Sequence, residues 1–300
     1  MMKTLVLEDM PNLFWQKVNE NNWLGHFTKD NSIAEIVIIR TKTQFNKKLF
    51  IKYPNLKVII RAGTGMDNID MKEAKRRDIT VLNTPEANAL SAYEHTISFI
   101  LALIKQHQKW KSNILSNNWK SGISKNWEIS DLKILVIGVG RVGTRVAKTM
   151  QILGAEVLGV DPYLTNREWK EKKIEKITYQ NGLKWCNLLT FHCPLNNETT
   201  DYFDLGTLDK LENPIWLINT ARGKIINEKL LPKGLQDKMI LGFGTDVFKE
   251  EPWKVKNYAK FKNVLVTPHV GAFTKKAKKR MTFEVLKVLR HFAFNGKGDF

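Results

Sequence analysis

The chain has 300 residues, 43% hydrophobic and 26% charged, enough for two domains with their own cores and unlike a disordered chain. Its formal net charge of +18 raises a nucleic-acid partner, but the excess is mostly scattered lysine and the densest cluster, Lys275, Lys276, Lys278, Lys279 and Arg280, opens an amphipathic helix; a solvated basic surface is the reading adopted, with no nucleic acid expected. The longest uncharged apolar run, 96–104, is far short of the roughly 20 residues a bilayer needs, the start carries no cleavage-site pattern, and Cys186 and Cys193 are the only cysteines, so a cytoplasmic chain with no membrane partner and no disulfide framework is expected.

Short β-rich runs alternate with helical patterns along the chain. Strands are predicted at 3–7, 35–39, 57–60, 79–82, 133–137, 156–160, 187–191, 214–219, 239–243 and 263–266. Several, such as Ile134-Leu135-Val136-Ile137, are apolar at every position, which marks strands covered on both faces and hence a parallel sheet. The alternation predicts an α/β fold with two doubly wound parallel-sheet domains. A long helix is predicted over 91–109. The stretch 111–131, rich in Asn, Ser and Lys, is the domain boundary that composition alone suggests. The last helix, 274–294, carries Met281, Val285, Leu286 and Leu289 as an apolar side that could pack on either domain.

The strand at 133–137 runs directly into Gly138-Val139-Gly140-Arg141-Val142-Gly143, and a helix is predicted from 144 to 153. Gly138 permits a tight turn, Gly140 lets the backbone approach a pyrophosphate, and Gly143 lets helix and strand pack closely. Arg141 and Val142 lie in the loop just before the predicted helix, whose N-terminus, with its unpaired N–H groups and dipole, favours an anion. The next strand ends at Asp161, whose carboxylate can accept bonds from the ribose hydroxyls of NAD and would repel the 2′-phosphate of NADP. NAD is therefore the expected cofactor; Arg167, Lys170, Lys172 and Lys173, shortly after, keep NADP as the lesser alternative. His192, followed by Cys193 and Pro194, is a candidate to line the same cofactor. Cys186, His192 and Cys193 fit no common zinc spacing, so no metal is expected.

A dehydrogenase of small oxo or hydroxy acids also needs a cation for the substrate carboxylate, an acid/base at the reacting oxygen and a group that tunes it. Arg222, in Asn219-Thr220-Ala221-Arg222-Gly223, follows one strand. Glu251, in a segment opened by Asp246, follows another, and His269, after Thr267-Pro268, follows the last. Ligands of open α/β sheets bind beyond the carboxyl ends of strands, where all three lie. The competing readings are a surface ion pair for Arg222 and a purely structural Glu251. His95, on the long helix, reads as a packing or interdomain residue.

These motifs, in this order, resemble the D-isomer-specific 2-hydroxyacid dehydrogenase family along essentially the whole chain. The resemblance is carried by Arg61-Ala62-Gly63-Thr64-Gly65-Met66-Asp67-Asn68-Ile69-Asp70, by Asn83-Thr84-Pro85 with Ser91 and Glu94-His95, and by the glycine loop with Asp161. It continues in His192-Cys193-Pro194-Leu195, the Thr220 and Arg222 motif, Asp246-Val247-Phe248 with Glu251-Pro252, and Thr267-Pro268-His269. It implies a Rossmann nucleotide-binding domain over 91–273 and a flavodoxin-like substrate domain over 1–90 and 274–300, replacing the boundary at 111–131. It implies that Arg222 grips the substrate, that His269 is the acid/base, that Glu251 bonds its imidazole and that Asp246 bonds the nicotinamide carboxamide. The backbone at Ala62, Gly63, Thr64 and Gly65 would hold the substrate carboxylate, and hydride would pass between nicotinamide and C2. A homodimer is the usual family assembly.

Within the family, the segment from Arg61 to Asp70 is most similar to the D-3-phosphoglycerate dehydrogenase branch, and Arg40 and Lys42 match the region where that branch places cations for a substrate phosphate. A small anionic substrate such as 3-phosphoglycerate or 3-phosphohydroxypyruvate follows as the expectation, and a positive surface would speed its encounter. The chain length leaves no room for the C-terminal regulatory domains of many such enzymes, so glyoxylate or hydroxypyruvate reduction stands as an alternative. A non-catalytic, NAD-sensing, corepressor-like binding protein is a third reading, and Arg40 as a mere strand-end residue is the alternative to a phosphate site.

Overall fold

Successive residues of one strand enter different cores. In β5 (Lys133–Ile137), Ile134 and Val136 are buried with Phe99, Ile100, Val146 and Met150 on one face, while Leu135 and Ile137 are buried with Leu183, Phe203, Leu230 and Leu235 on the other. A strand apolar at every position is the consequence of a sheet covered twice. The computed structural model describes residues 2–120, 126–254 and 257–294. Within them the chain divides into two compact units, Met1–Leu90 with Ala272–Phe300 and Ser91–Gly271.

The first unit contains a four-stranded parallel sheet in the order β1 (Thr4–Val6), β2 (Ile36–Ile39), β3 (Val58–Arg61), β4 (Thr80–Asn83). One face is covered by helix Asn12–Glu20, through Phe14 and Val18, and by the C-terminal helix Lys275–Phe294, through Met281, Val285, Leu286 and Leu289. The apolar side of that last helix, which sequence could assign to either domain, thus packs on the first unit. Each such side chain, fully buried, contributes on the order of 2 kcal/mol.

The second unit contains a seven-stranded parallel sheet. Besides β5 its strands are β6 (Glu156–Val160), β7 (Glu175–Lys176), β8 (Leu188–Phe191), β9 (Ile215–Asn219), β10 (Ile240–Thr245) and β11 (Val264–Val266), in the order β11-β10-β9-β8-β5-β6-β7. Every predicted strand is present within one or two residues. The addition is β7, two charged and exposed residues at the sheet edge, too short and too polar to show a period. The long helix differs more. It runs over Pro85–Ile104, because a proline is well placed in a first helical turn, and it stops where Gln106 takes a left-handed φ of 52°. A separate helix, His107–Leu115, follows. The polar stretch 111–131 lies inside the second unit, with 121–125 outside the described residues.

Candidate active site

The glycine loop uses each of its three glycines for a different reason. Gly138 turns with φ 87°, and a Cβ there would sit 2.6 Å from the Cys193 nitrogen, so the turn lies directly against the chain leaving β8. A Cβ on Gly143 would lie 2.0 Å from the Gly138 carbonyl, so the first turn of helix Arg141–Ile152 packs onto its own loop. A Cβ on Gly140 would meet nothing within 4 Å. Gly140 is the residue where the fold leaves space, at the N-cap of a helix whose first amides have no intrahelical acceptor. Val142 packs inward against the core, while Arg141 is exposed.

Asp161 stands at the carboxyl end of β6 beside this loop. One oxygen accepts the Val139 N–H at 2.9 Å and the other the Tyr163 N–H at 3.1 Å. Arg167, the nearest arginine in sequence, bonds Glu171 on its own helix at 2.8 Å, and Lys172 reaches Thr144 at 3.3 Å. His192 hydrogen-bonds Thr190 through Nε2 at 3.0 Å, and burial pushes its pKa down to about 3, so it stands there as a neutral imidazole. Pro194 is exposed, and its carbonyl accepts the Thr199 hydroxyl at 2.6 Å. An open glycine at a helix N-terminus, a tight turn and a neighbouring carboxylate together fit a dinucleotide.

The other candidates gather where β9, β10 and β11 end side by side. Buried Asn219 closes the first turn, accepting the Ala221 N–H at 3.1 Å and donating to the Arg222 carbonyl at 2.9 Å. Thr220 shares a hydroxyl bond of 2.7 Å with Thr96. Gly223 has no room for a side chain: a Cβ would lie 1.9 Å from the Phe248 carbonyl carbon. That close approach brings the Arg222 turn against the loop carrying Glu251. Arg222 donates to the Ala221 carbonyl at 2.6 Å.

Glu251 bridges two partners. Oε1 accepts the Phe248 N–H at 3.0 Å and Oε2 lies 2.7 Å from His269 Nδ1. Burial pushes the Glu251 pKa up, but the bond and charge of His269, the Phe248 amide and the Arg222 charge outweigh it and hold the group below the ordinary carboxylate value. Because the carboxylate only accepts, Nδ1 carries the proton and Nε2 is left for another group. His269 itself is left-handed, φ 54°, which a non-glycine residue adopts only where its surroundings enforce it.

Asp246 supplies that enforcement. It is 3% exposed, and its oxygens accept the Thr267 hydroxyl at 2.5 Å, the Val270 N–H at 2.8 Å and the Gly271 N–H at 2.7 Å. A carboxylate has about four acceptor positions, so one remains for a further donor. Among the described residues no group of three His, Cys, Asp or Glu side chains is placed to hold a metal ion, and no helix is long and apolar enough to cross a membrane.

In the first unit Arg40 and Lys42 lie on the loop after β2. Their backbone N–H groups, with that of Thr43, all donate to Glu8, at 2.9, 3.1 and 2.9 Å, and the Arg40 guanidinium donates to the Asp9 carbonyl at 3.0 Å. Sequence reasoning did not single out Glu8; its only signal is an acidic residue at the carboxyl end of a strand. Ala62, Gly63, Thr64 and Gly65 follow β3. The Ala62 N–H is bonded to the Ile39 carbonyl at 2.8 Å, so only the amides of Gly63, Thr64 and Gly65 lie beyond the ladder. Gly63, at φ 143°, packs over the buried Arg61 guanidinium; a Cβ would be 1.6 Å from it.

Fold and site define a class of α/β protein with a dinucleotide-binding unit. Residues 97–271 match the family described as "D-isomer specific 2-hydroxyacid dehydrogenase, NAD binding domain", and the chain belongs to that family. NAD is accordingly the cofactor of the second unit. The D-3-phosphoglycerate dehydrogenase of Bacillus subtilis is 30% identical over 300 residues, 98% of this chain and 57% of that protein. The human D-3-phosphoglycerate dehydrogenase is 31% identical over 265 residues, 87% of this chain and 50% of that one. The chain thus spans about half the length of the curated relatives it matches. Among solved structures, a D-lactate dehydrogenase from Aquifex aeolicus in complex with NAD and lactic acid aligns with a TM-score of 0.87 at 26% identity, covering 98% of this chain and 96% of its own. A glyoxylate reductase from Paecilomyes thermophila also gives 0.87, covering 99% and 96%, and at 20% identity shows the fold alone.

Proposed function

We propose that the protein is an NAD-dependent D-2-hydroxyacid dehydrogenase, acting on a small anionic 2-hydroxy or 2-oxo acid. The observation that carries the reading is the 2.7 Å pair of His269 Nδ1 and Glu251 Oε2, held beside Arg222 in the unit that carries the glycine loop. NAD would be held by Gly138, Gly140, Arg141, Val142 and Gly143 at its pyrophosphate, by Asp161 at its ribose, and by His192, Pro194, Thr220 and Asp246 along its length. When bound, it supplies or takes up a hydride. Arg222 would hold the substrate carboxylate and polarise the reacting oxygen. His269 would give that oxygen a proton from Nε2 in reduction and remove it in oxidation, its ring fixed by Glu251. The amides of Gly63, Thr64 and Gly65 would take the substrate carboxylate, and Ala62 would shape their turn.

For the substrate we propose 3-phosphoglycerate and 3-phosphohydroxypyruvate. The support is the family branch of the relatives and the cations Arg40 and Lys42 on one loop. One observation favours a second reading, glyoxylate or hydroxypyruvate: the loop amides that could have bound a phosphate are occupied by Glu8. NADH oxidation measured with 3-phosphohydroxypyruvate, hydroxypyruvate, glyoxylate and pyruvate separates them. Preference for the phosphorylated acid supports the first reading. Equal or better use of glyoxylate supports the second, and NADH binding without turnover of any acid leaves only an NAD-sensing role. A homodimer is part of the proposal, and Ile114, Leu115 and Trp119, at 57%, 75% and 70% exposure, are large apolar groups suited to a subunit contact. Light scattering of Leu115→Glu against the unaltered chain tests it; an unchanged dimer mass would remove these residues from the contact.

A further inference from the structure

His95, in the second unit, is a histidine that the scheme above does not use. It projects from helix Pro85–Ile104, is stacked edge-on to Phe99 with ring centroids 4.7 Å apart, and its Nε2 lies 2.9 Å from the Thr267 hydroxyl. The distance from Nε2 to the Asp246 carboxylate is 3.6 Å, too long for a direct bond, so Thr267 is the bridge. Thr267 has one hydroxyl proton, and at 2.5 Å from Asp246 Oδ1 that proton belongs to the carboxylate bond. Both Asp246 oxygens also take backbone N–H donors, from Val270 and Gly271. The Thr267 oxygen must therefore accept from His95, which fixes the proton of His95 on Nε2. The bonds run in one direction, His95 Nε2–H to Thr267 Oγ–H to Asp246. Gly271 closes the arrangement: a Cβ there would lie 2.9 Å from Asp246 Oδ2 and 3.3 Å from the His95 ring.

We propose that His95 is a positioning residue for His269: through Thr267 it orients Asp246, and Asp246 holds the segment on either side of His269 in the left-handed conformation that presents its ring to Glu251. The catalytic consequence rests on the dehydrogenase reading; the hydrogen-bond chain does not. Three bonds to Asp246 flank His269 at Thr267, Val270 and Gly271, so a carboxylate turned by the loss of its Thr267 partner shifts the loop that carries the reacting group. A displacement near 1 Å at a reacting group costs on the order of 100-fold in rate, and a partial one correspondingly less.

The test uses the full chain with NADH and the best of the four 2-oxo acids, and four variants: His95→Phe, His95→Gln, Thr267→Val and the pair of His95→Phe with Thr267→Val. Nitrogen-15 imidazole spectra report the tautomer of His95 and the environment of His269 without any turnover. Expected are an Nε2–H tautomer for neutral His95 and moved His269 resonances in His95→Phe. A fall in kcat of about 10-fold is expected as well, with a smaller rise in KM for NADH, because the scheme above also places Asp246 on the cofactor. His95→Gln, whose amide N–H can still donate to Thr267, recovers most of the loss, and the double variant is no worse than its worse parent because both break one chain. An Nδ1–H tautomer, unmoved His269 resonances or additive losses would overturn the proposal. If the unaltered chain reduces none of the acids, the dehydrogenase reading has failed, and the tautomer and the His269 resonances still decide this one. His95→Gln covers the case in which the phenylalanine variant does not fold.

Discussion

Two regions of this protein use a carboxylate to shape a site, and they use it differently. At the ends of β9, β10 and β11, Glu251 binds an imidazole, a group that takes up and releases a proton. At the end of β1, Glu8 binds three backbone N–H groups of the loop that carries Arg40 and Lys42. The first arrangement tunes chemistry, because the partner's proton is the reagent. The second fixes a shape, because amide protons do not titrate. It follows that damage to the first should appear in kcat and its pH dependence, and damage to the second in substrate preference with kcat largely kept.

The sharpest way to break this distinction is His269→Ala. Loss of a general acid/base lowers turnover by about 100- to 10,000-fold, and NADH affinity should stay within a few-fold, because the residue follows β11, which three strands separate from β5 and its glycine loop. Stopped-flow turnover and fluorescence titration with NADH measure the two. Turnover within 10-fold of the unaltered chain would remove His269 from its role.

Next in size is a pair of glycine substitutions. Gly140→Val puts a side chain where nothing lies within 4 Å, so the fold should keep its melting temperature while NADH affinity falls by more than about 10-fold. Gly143→Ala puts a Cβ 2.0 Å from the Gly138 carbonyl, so it should lower thermal stability itself, by about 1–3 kcal/mol. The two residues are identical in sequence terms and opposite in structural ones. Equal loss of stability in both would show that Gly140 is not open.

Glu251→Gln should lower kcat by about 10- to 100-fold and leave KM for NADH unchanged. It also carries a pH signature. The Glu251 pKa is held below the ordinary carboxylate value, so the pairing stabilises the fold fully above that value and is lost as pH falls through the lowered one. The difference in melting temperature between the unaltered chain and Glu251→Gln should therefore be present at neutral pH and vanish in acid. A difference that grows in acid would mean the sign is wrong and that burial dominates Glu251.

What sequence could show follows the same division. The parallel sheets, the glycine loop and the placement of Arg222, Glu251 and His269 after strands were legible because they rest on periodicity and local order: an apolar run, a turn, a helix start. Contacts between residues far apart in the chain were not legible. Nothing local links His95 to Thr267, Glu8 to Thr43, or Gly223 to Phe248; the last two pairings are made by strand order, which brings β1 beside β2 and β9 beside β10, and the first by the packing of helix Pro85–Ile104 on the second sheet. The break at Gln106 was missed for a related reason, since the helical pattern continues through it and only a backbone angle records the stop. The strand β7 was missed because two charged residues carry no pattern at all.

The smallest expected effects belong to the loop held by Glu8, and they bear most directly on substrate. Arg40→Ala should raise KM for 3-phosphohydroxypyruvate by about 10-fold and change that for glyoxylate by less than 2-fold, since one charge-assisted bond to a phosphate is worth roughly 1.5 kcal/mol. Glu8→Gln keeps the size of the side chain and one acceptor oxygen but cannot accept from all three amides. Its effect should run in the same direction, weaker, with kcat unchanged. If instead Glu8→Gln tightens the phosphorylated substrate, the carboxylate competes with the phosphate more than it holds the loop, and an unphosphorylated acid becomes the better reading. Equal losses on both substrates would detach this loop from specificity altogether and leave Arg40 as a strand-end residue bonded to the Asp9 carbonyl.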